Sequence, residues 1–258
     1  MTPASENLRF ESPRVAVHDD VASLARAAAD DASAVIARAV DERGVANAMF
    51  ATGNSQLAFV DELMARRDVD WSRLVVFHMD EYLGMGPDHP ASFVRWIRER
   101  IVDRVHPLAA HLIDGTAADA AAECARYTAL LREHPLDLCC MGIGENGHLA
   151  FNDPPVADFD DPADVKVVVL DDACRRQQVG EGHFAGLADV PTHALTVTIP
   201  ALLRAREVLV IVPEARKADA VRAALEGPVT TACPASVLRR QPHVRLCLDR
   251  ESAGLLSA

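Results

Sequence analysis

From Asp20 onward the apolar positions Val21, Leu24, Ala28, Val35, Ile36 and Ala39 recur at helical spacing until Gly44, which predicts a long amphipathic helix. Residues 45–51 then form a short, unbroken apolar run, the pattern of a strand covered on both faces. Thr52-Gly53-Asn54-Ser55 breaks that run, and Leu57, Val60, Leu63 and Met64 resume helical spacing. The alternation continues: residues 74–79 read as a strand, Phe93, Trp96, Ile97 and Ile101 mark a helix face, and residues 117–131 form another helix. Residues 136–141, 165–170, 194–197, 208–212 and 244–248 are further strand candidates. Strands alternating with helices predict an α/β fold, a doubly wound, mostly parallel Rossmann-like sheet with helices on both faces, whose ligands bind beyond the carboxyl ends of the strands. The irregular stretch 154–164, rich in proline and aspartate, fits a mobile flap and a fixed surface loop equally well.

Composition narrows the class. With 50% hydrophobic and 25% charged residues, the chain of 258 residues can bury a substantial core, and disorder is excluded as its dominant state. No repeat or linker divides it, so a single domain over residues 1–258 is expected. Lys+Arg 26 against Asp+Glu 38 gives a net charge of −12, which argues against nucleic acid as the main partner. The six cysteines show no C-x-x-C spacing and read as reduced, mostly core thiols. The first 14 residues lack the apolar stretch of a signal peptide, and no segment has about 18 uninterrupted apolar residues, so a cytoplasmic protein without membrane contact is expected.

Three loops carry candidate chemistry. Thr52-Gly53-Asn54-Ser55 lies between a strand end and a helix start, where free amides and hydroxyls suit a phosphate, although Ser and Asn also serve there as plain N-caps. After the strand Val75-Val76-Phe77 comes His78-Met79-Asp80-Glu81-Tyr82, whose adjacent carboxylates stand where a base meets a substrate; His78, inside the apolar run, reads better as a core histidine. The third loop, Gly142-Ile143-Gly144-Glu145-Asn146-Gly147-His148-Leu149-Ala150-Phe151-Asn152-Asp153-Pro154, joins a glycine-rich turn to a histidine and a carboxylate. It is not the G-x-G-x-x-G of a dinucleotide site. Arg175, Arg176 and Lys217 are candidate anion-holding cations. The sequence contains no H-E-x-x-H and no G-x-S-x-G, so neither a metal centre nor a serine nucleophile is supported.

These loops together, with Ala194-Leu195-Thr196-Val197, Lys217-Ala218 and Leu225-Glu226-Gly227, resemble the glucosamine-6-phosphate deaminase family from about Val45 to the C-terminus. That family belongs to a larger group with the 6-phosphogluconolactonases and the sugar-binding domains of some regulators. The resemblance implies conversion of glucosamine 6-phosphate and water to fructose 6-phosphate and ammonia, without a cofactor. It implies that Asp80 moves a proton from C2 to C1 and that His148 opens the sugar ring, with Asn146 and Asp153 orienting or assisting the histidine. The same resemblance implies that Thr52, Gly53, Asn54, Ser55, Lys217 and one of Arg175 and Arg176 hold the phosphate, with Glu81 and Gly147 also in the substrate site.

The chain departs from the family pattern in four places. Asp153 stands where many members have glutamate, Asn146 where some have aspartate, and Gln56 where a proline is common; two residues are inserted within 154–164. These departures leave open the amino sugar phosphate, the presence of an effector and whether the chain forms a homo-oligomer. A lactonase would need an activated water rather than a base over C2. A sugar-phosphate sensor would normally bring a basic helix-turn-helix, for which the acidic N-terminal segment is too short.

Overall fold

The computed structural model describes residues 6–8, 13–180, 182 and 184–257. Its strands are β1 (Glu6–Leu8), β2 (Arg14–His18), β3 (Ala46–Phe50), β4 (Leu74–His78), β5 (Asp80–Tyr82), β6 (Ala109–His111), β7 (Leu138–Met141), β8 (Val165–Val169), β9 (His193–Val197), β10 (Glu207–Val212) and β11 (Val244–Asp249). The helices are α1 (Val21–Arg43), α2 (Leu57–Met64), α3 (Phe93–Ile97), α4 (Asp103–Val105), α5 (Ala120–Glu133), α6 (Asp172–Gly180), α7 (Ile199–Leu202) and α8 (Ala218–Glu226). The main sheet has the order β1-β2-β11-β10-β7-β3-β4-β6, parallel throughout except for β1 against β2.

The doubly wound fold expected from the sequence is present. Strand β10 shows why its run is apolar without alternation: Val208, Val210 and Val212 enter the core on one side of the sheet, while Leu209 and Ile211 enter the core on the other. Helix α1 starts at a capping box between Asp20 and Ser23 and ends at Gly44, whose φ of 78° is easy only for glycine. Strands β3 and β7 are neighbours, yet the chain leaves β3 toward β4 and leaves β7 toward β10. The loops after β3 and β7 therefore diverge and open a crevice at the carboxyl edge of the sheet.

The sequence did not indicate a second sheet. Residues 165–170 and 194–197 are indeed strands, but β8 and β9 pair antiparallel, with β5 on the other side of β9, outside the main sheet. Val167 and Val169 of β8 are exposed, which fits an antiparallel sheet with one solvated face rather than a strand sandwiched by helices. Strands β2 and β6 lie in stretches whose patterns are too short to read; much of the N-terminal segment lies outside the described residues. The stretch 154–164 is an irregular loop, held where Lys166 Nζ meets Asp161 at 2.8 Å and the Val156 carbonyl at 2.7 Å. All six cysteines are free thiols, with Cys139, Cys140, Cys174 and Cys247 buried and Cys124 and Cys233 partly so. No helix among the described residues is long and apolar enough to cross a membrane, and no described group of three or more His, Cys, Asp or Glu side chains is placed to hold a metal ion.

Candidate active site

The crevice between the β3 and β7 loops is lined by Thr52, Gly53, Asn54 and Ser55, by Gly142 and Gly144, and by Asp80, His148 and Lys217. Three loops and one cation, far apart in sequence, thus share one space. The Thr52 loop turns through Gly53 at φ 106° into a 3-10 turn (Asn54–Gln56) that runs into α2. Gln56 is buried beside it and donates from Nε2 to the Ile211 carbonyl at 3.2 Å and to Ser55 Oγ at 3.3 Å, tying the loop to β10. Lys217 follows β10, at the end of a 3-10 turn (Ala215–Lys217) entered through Glu214 at φ 80°. Its side chain is buried in the crevice wall.

His148 is held by its own loop. Asn146 donates from Nδ2 to Asp153 Oδ1 at 2.8 Å, so its Oδ1 turns to the histidine and accepts the His148 backbone N–H at 3.0 Å. The same Oδ1 lies 2.8 Å from His148 Nδ1, and Asp153 Oδ1 lies 3.0 Å from it. Both neighbours are acceptors, so Nδ1 carries the proton and Nε2 keeps its lone pair. Burial raises the proton affinity of Asp153, but the contacts with His148 and Asn146 outweigh it and hold the carboxyl below its usual value. A Cβ on Gly144 would clash with Cε1, Nδ1 and Nε2 of the His148 ring, so glycine lets the ring lie on the loop backbone. Asn152 anchors the loop from beneath, donating to the Leu149 carbonyl at 2.8 Å and the Val197 carbonyl at 2.9 Å.

Asp80 begins β5, directly after the main-sheet strand β4, so the step from one sheet to the other delivers its carboxylate to the crevice. Its proton affinity is raised well above the ordinary value, first by burial, then by the charges of Glu81 and Asp153; an N–H from Phe151 offsets this in part. Glu81, next in sequence, points elsewhere. Its carboxylate accepts from Tyr82 N–H at 2.9 Å, Val94 N–H at 2.8 Å and Ser92 Oγ–H at 2.7 Å, which ties β5 to the start of α3. His78 is a core residue, as its position in the apolar run suggested: Nε2 accepts the Ile113 N–H at 2.8 Å, and burial lowers its pKa to about 3.

The remaining sequence candidates lie outside the crevice lining. Arg175 donates to the Leu187 carbonyl at 2.6 Å and the Val190 carbonyl at 3.0 Å, which pins the loop between α6 and β9. Arg176 lies on the exposed side of α6, 4.0 Å from Asp172. Gly147, at φ 85°, sits against Cys233, and its carbonyl accepts from Ala235 N–H at 2.8 Å. Asn146 and Asp153 stand behind His148 rather than in the lining. In place of the arginines, α6 presents Gln177 and Gln178, with Phe93 and Phe151 beside them. Helical spacing does not reveal which side of α6 faces the crevice, because α6 is predominantly polar; its buried residues are only Cys174 and Gln178.

The chain is similar in sequence and fold to proteins of known name. Residues 19–247 match the family described as glucosamine-6-phosphate isomerases/6-phosphogluconolactonase. The glucosamine-6-phosphate deaminase of Exiguobacterium sibiricum is 39% identical over 207 residues, covering 80% of each chain. That of Listeria innocua is 37% identical over 206 residues, 80% of this chain and 86% of the relative. A solved monomeric glucosamine-6-phosphate deaminase superposes with a TM-score of 0.85 at 28% identity, covering 94% of this chain and 99% of the other. The 6-phosphogluconolactonase of Shewanella baltica shares the fold, with a TM-score of 0.76 at 19% identity and coverage of 93% and 98%. The chain therefore belongs to the family of glucosamine-6-phosphate isomerases and 6-phosphogluconolactonases.

Proposed function

We propose that the protein converts glucosamine 6-phosphate and water to fructose 6-phosphate and ammonia. The observation that carries this reading is that the Asp80 carboxylate and His148 share one crevice with the Thr52 loop and Lys217. The phosphate rests at the Thr52 loop and Lys217, which leaves the reacting carbons to Asp80 and His148. His148 Nε2 takes the proton of the C1 hydroxyl, and the resulting imidazolium, faced by Asp153 and Asn146, gives a proton to the ring oxygen as the ring opens. Asp80 then removes the proton on C2 and returns one to C1. With a second proton passing from the C2 nitrogen to O1, C1 becomes a hydroxymethyl carbon and C2 an imine; water adds to C2 and ammonia leaves, giving the ketose. The raised proton affinity of Asp80 suits a group that must hold the proton between these two steps.

A lactonase would need an activated water and has no use for a carboxylate over C2 of an amino sugar. Ammonia and ketose phosphate should both appear when the pure protein meets glucosamine 6-phosphate, and 6-phosphogluconolactone should be hydrolysed no faster than in buffer. Lactone hydrolysis without ammonia release from any hexosamine 6-phosphate would overturn the assignment. Thr52, Asn54, Ser55 and Lys217 in the crevice lining support a sugar phosphate as substrate.

A further inference from the structure

The crevice has two walls of different character. The main-sheet wall carries the Thr52 loop, Gly142, Gly144 and Lys217; the other, formed by β5 and α6, carries Asp80, Gln177 and Gln178 among Phe93, Ala150 and Phe151. Gln178 is buried, and the Tyr82 hydroxyl donates to its Oε1 at 2.8 Å. Tyr82 has little freedom of its own. It is fully buried, two residues along β5 from Asp80, with Phe93, Phe151 and Phe184 ring centroids 5.0, 5.3 and 5.4 Å away. Since its oxygen end is held this way, the carboxamide leaves its two N–H groups to the crevice that Gln178 lines.

We infer that Gln178 is a specificity-determining residue, its Tyr82-fixed amide donating to a hydroxyl on C3 or C4 of the bound sugar phosphate. The inference rests on the proposed reaction for the direction of the substrate. With C1 and C2 at Asp80 and His148 and the phosphate of C6 at the Thr52 loop, the hydroxyl-bearing carbons between them are C3 and C4. Gln178, joined to Asp80 through Tyr82, stands on the wall that this middle section faces. A fixed buried donor discriminates because a sugar without the matching oxygen leaves it unpaired, a penalty that a freely rotating side chain avoids.

The test is a substrate–variant cycle. The unreactive open-chain analogue 2-amino-2-deoxyglucitol 6-phosphate and its 3-deoxy and 4-deoxy forms are titrated by calorimetry into the parent protein, Gln178→Leu and Gln178→Met. The expected result is that the parent loses about 10-fold to 100-fold in affinity for one of the two deoxy analogues. Gln178→Leu should lose as much for the full analogue and nothing further for that deoxy form. Gln178→Met keeps the length and volume of the side chain but carries no donor, so it should show the same insensitivity; it also serves if the leucine variant does not fold. Independent losses that multiply for both deoxy analogues, or unchanged affinity of the full analogue for both variants, would overturn the inference. Ammonia release from glucosamine 6-phosphate by the parent reads the proposed reaction separately: no release with an intact cycle sinks the reaction and leaves the role of Gln178 standing.

Discussion

Glu81→Ala separates a carboxylate that builds the site from one that touches substrate. Glu81 is buried and accepts three hydrogen bonds, from the Tyr82 and Val94 amides and the Ser92 hydroxyl, at 2.7 to 2.9 Å. Bonds to a charged acceptor contribute about 1.5–3 kcal/mol each, and their sum is reduced where water or a small shift can re-satisfy a donor. Deleting the common acceptor leaves three neutral donors from two elements buried and unpaired, at about 1–3 kcal/mol each, and relief of the burial that raises the proton affinity of Glu81 offsets part of this, so a loss of about 3–5 kcal/mol is expected. With a denaturant slope of about 2–3 kcal/mol/M, this lowers the urea midpoint by about 1–2.5 M. Glu81→Gln should cost less, because an amide oxygen can still accept from Ser92 and Val94. Unfolding followed by circular dichroism gives the stability, and ammonia release without urea gives KM. KM within about twofold of the parent is expected, because the side chain is turned away from the crevice. A variant as stable as the parent with a KM raised tenfold or more would refute the reasoning and place Glu81 on the substrate.

Three further outcomes follow from the same geometry. Asp80→Asn should lower turnover by a factor on the order of 100 or more. It should also melt higher than the parent at neutral pH: the folded state raises the proton affinity of Asp80, so the parent loses stability as pH rises from the ordinary carboxylate value through the raised one, whereas asparagine does not ionise. A melting temperature at neutral pH equal to or below the parent's would contradict this. Lys217→Ala should raise KM with little effect on melting, whereas Arg175→Ala should lower the melting temperature and leave KM near the parent's, since its guanidinium holds the Leu187 and Val190 carbonyls; the reverse pattern would move the phosphate grip to α6. Gly144→Ala should lower turnover by about 100-fold by displacing the His148 ring while the protein stays folded, and near-parental turnover would show that the ring has room to move.

The chain itself determined the α/β class and the strands β3, β4, β7, β10 and β11 at the centre of the main sheet, though not β2 and β6. Runs such as Val208 to Val212 are apolar at every position because both faces are covered, and the glycines at 142 and 144 and the His148 loop mark a site by composition alone. The partners of a side chain were not legible, because they come from elements distant in sequence. Glu81 and Asp80 are adjacent and chemically alike, yet α3 supplies donors to one while the other faces the crevice. Arg175, Arg176, Gln177 and Gln178 are consecutive polar residues on a helix, and only its rotation against β5 turns the glutamines inward and the arginines away. The second sheet was hidden for the same reason: β5 has only three residues, and its place is set by pairing with β9, more than a hundred residues later in the chain. Local pattern fixes the longer apolar strands and helices; the short strands and the choice among equivalent polar side chains are decided by pairing, by burial and by which donor lies opposite, and these exist only once the chain has packed.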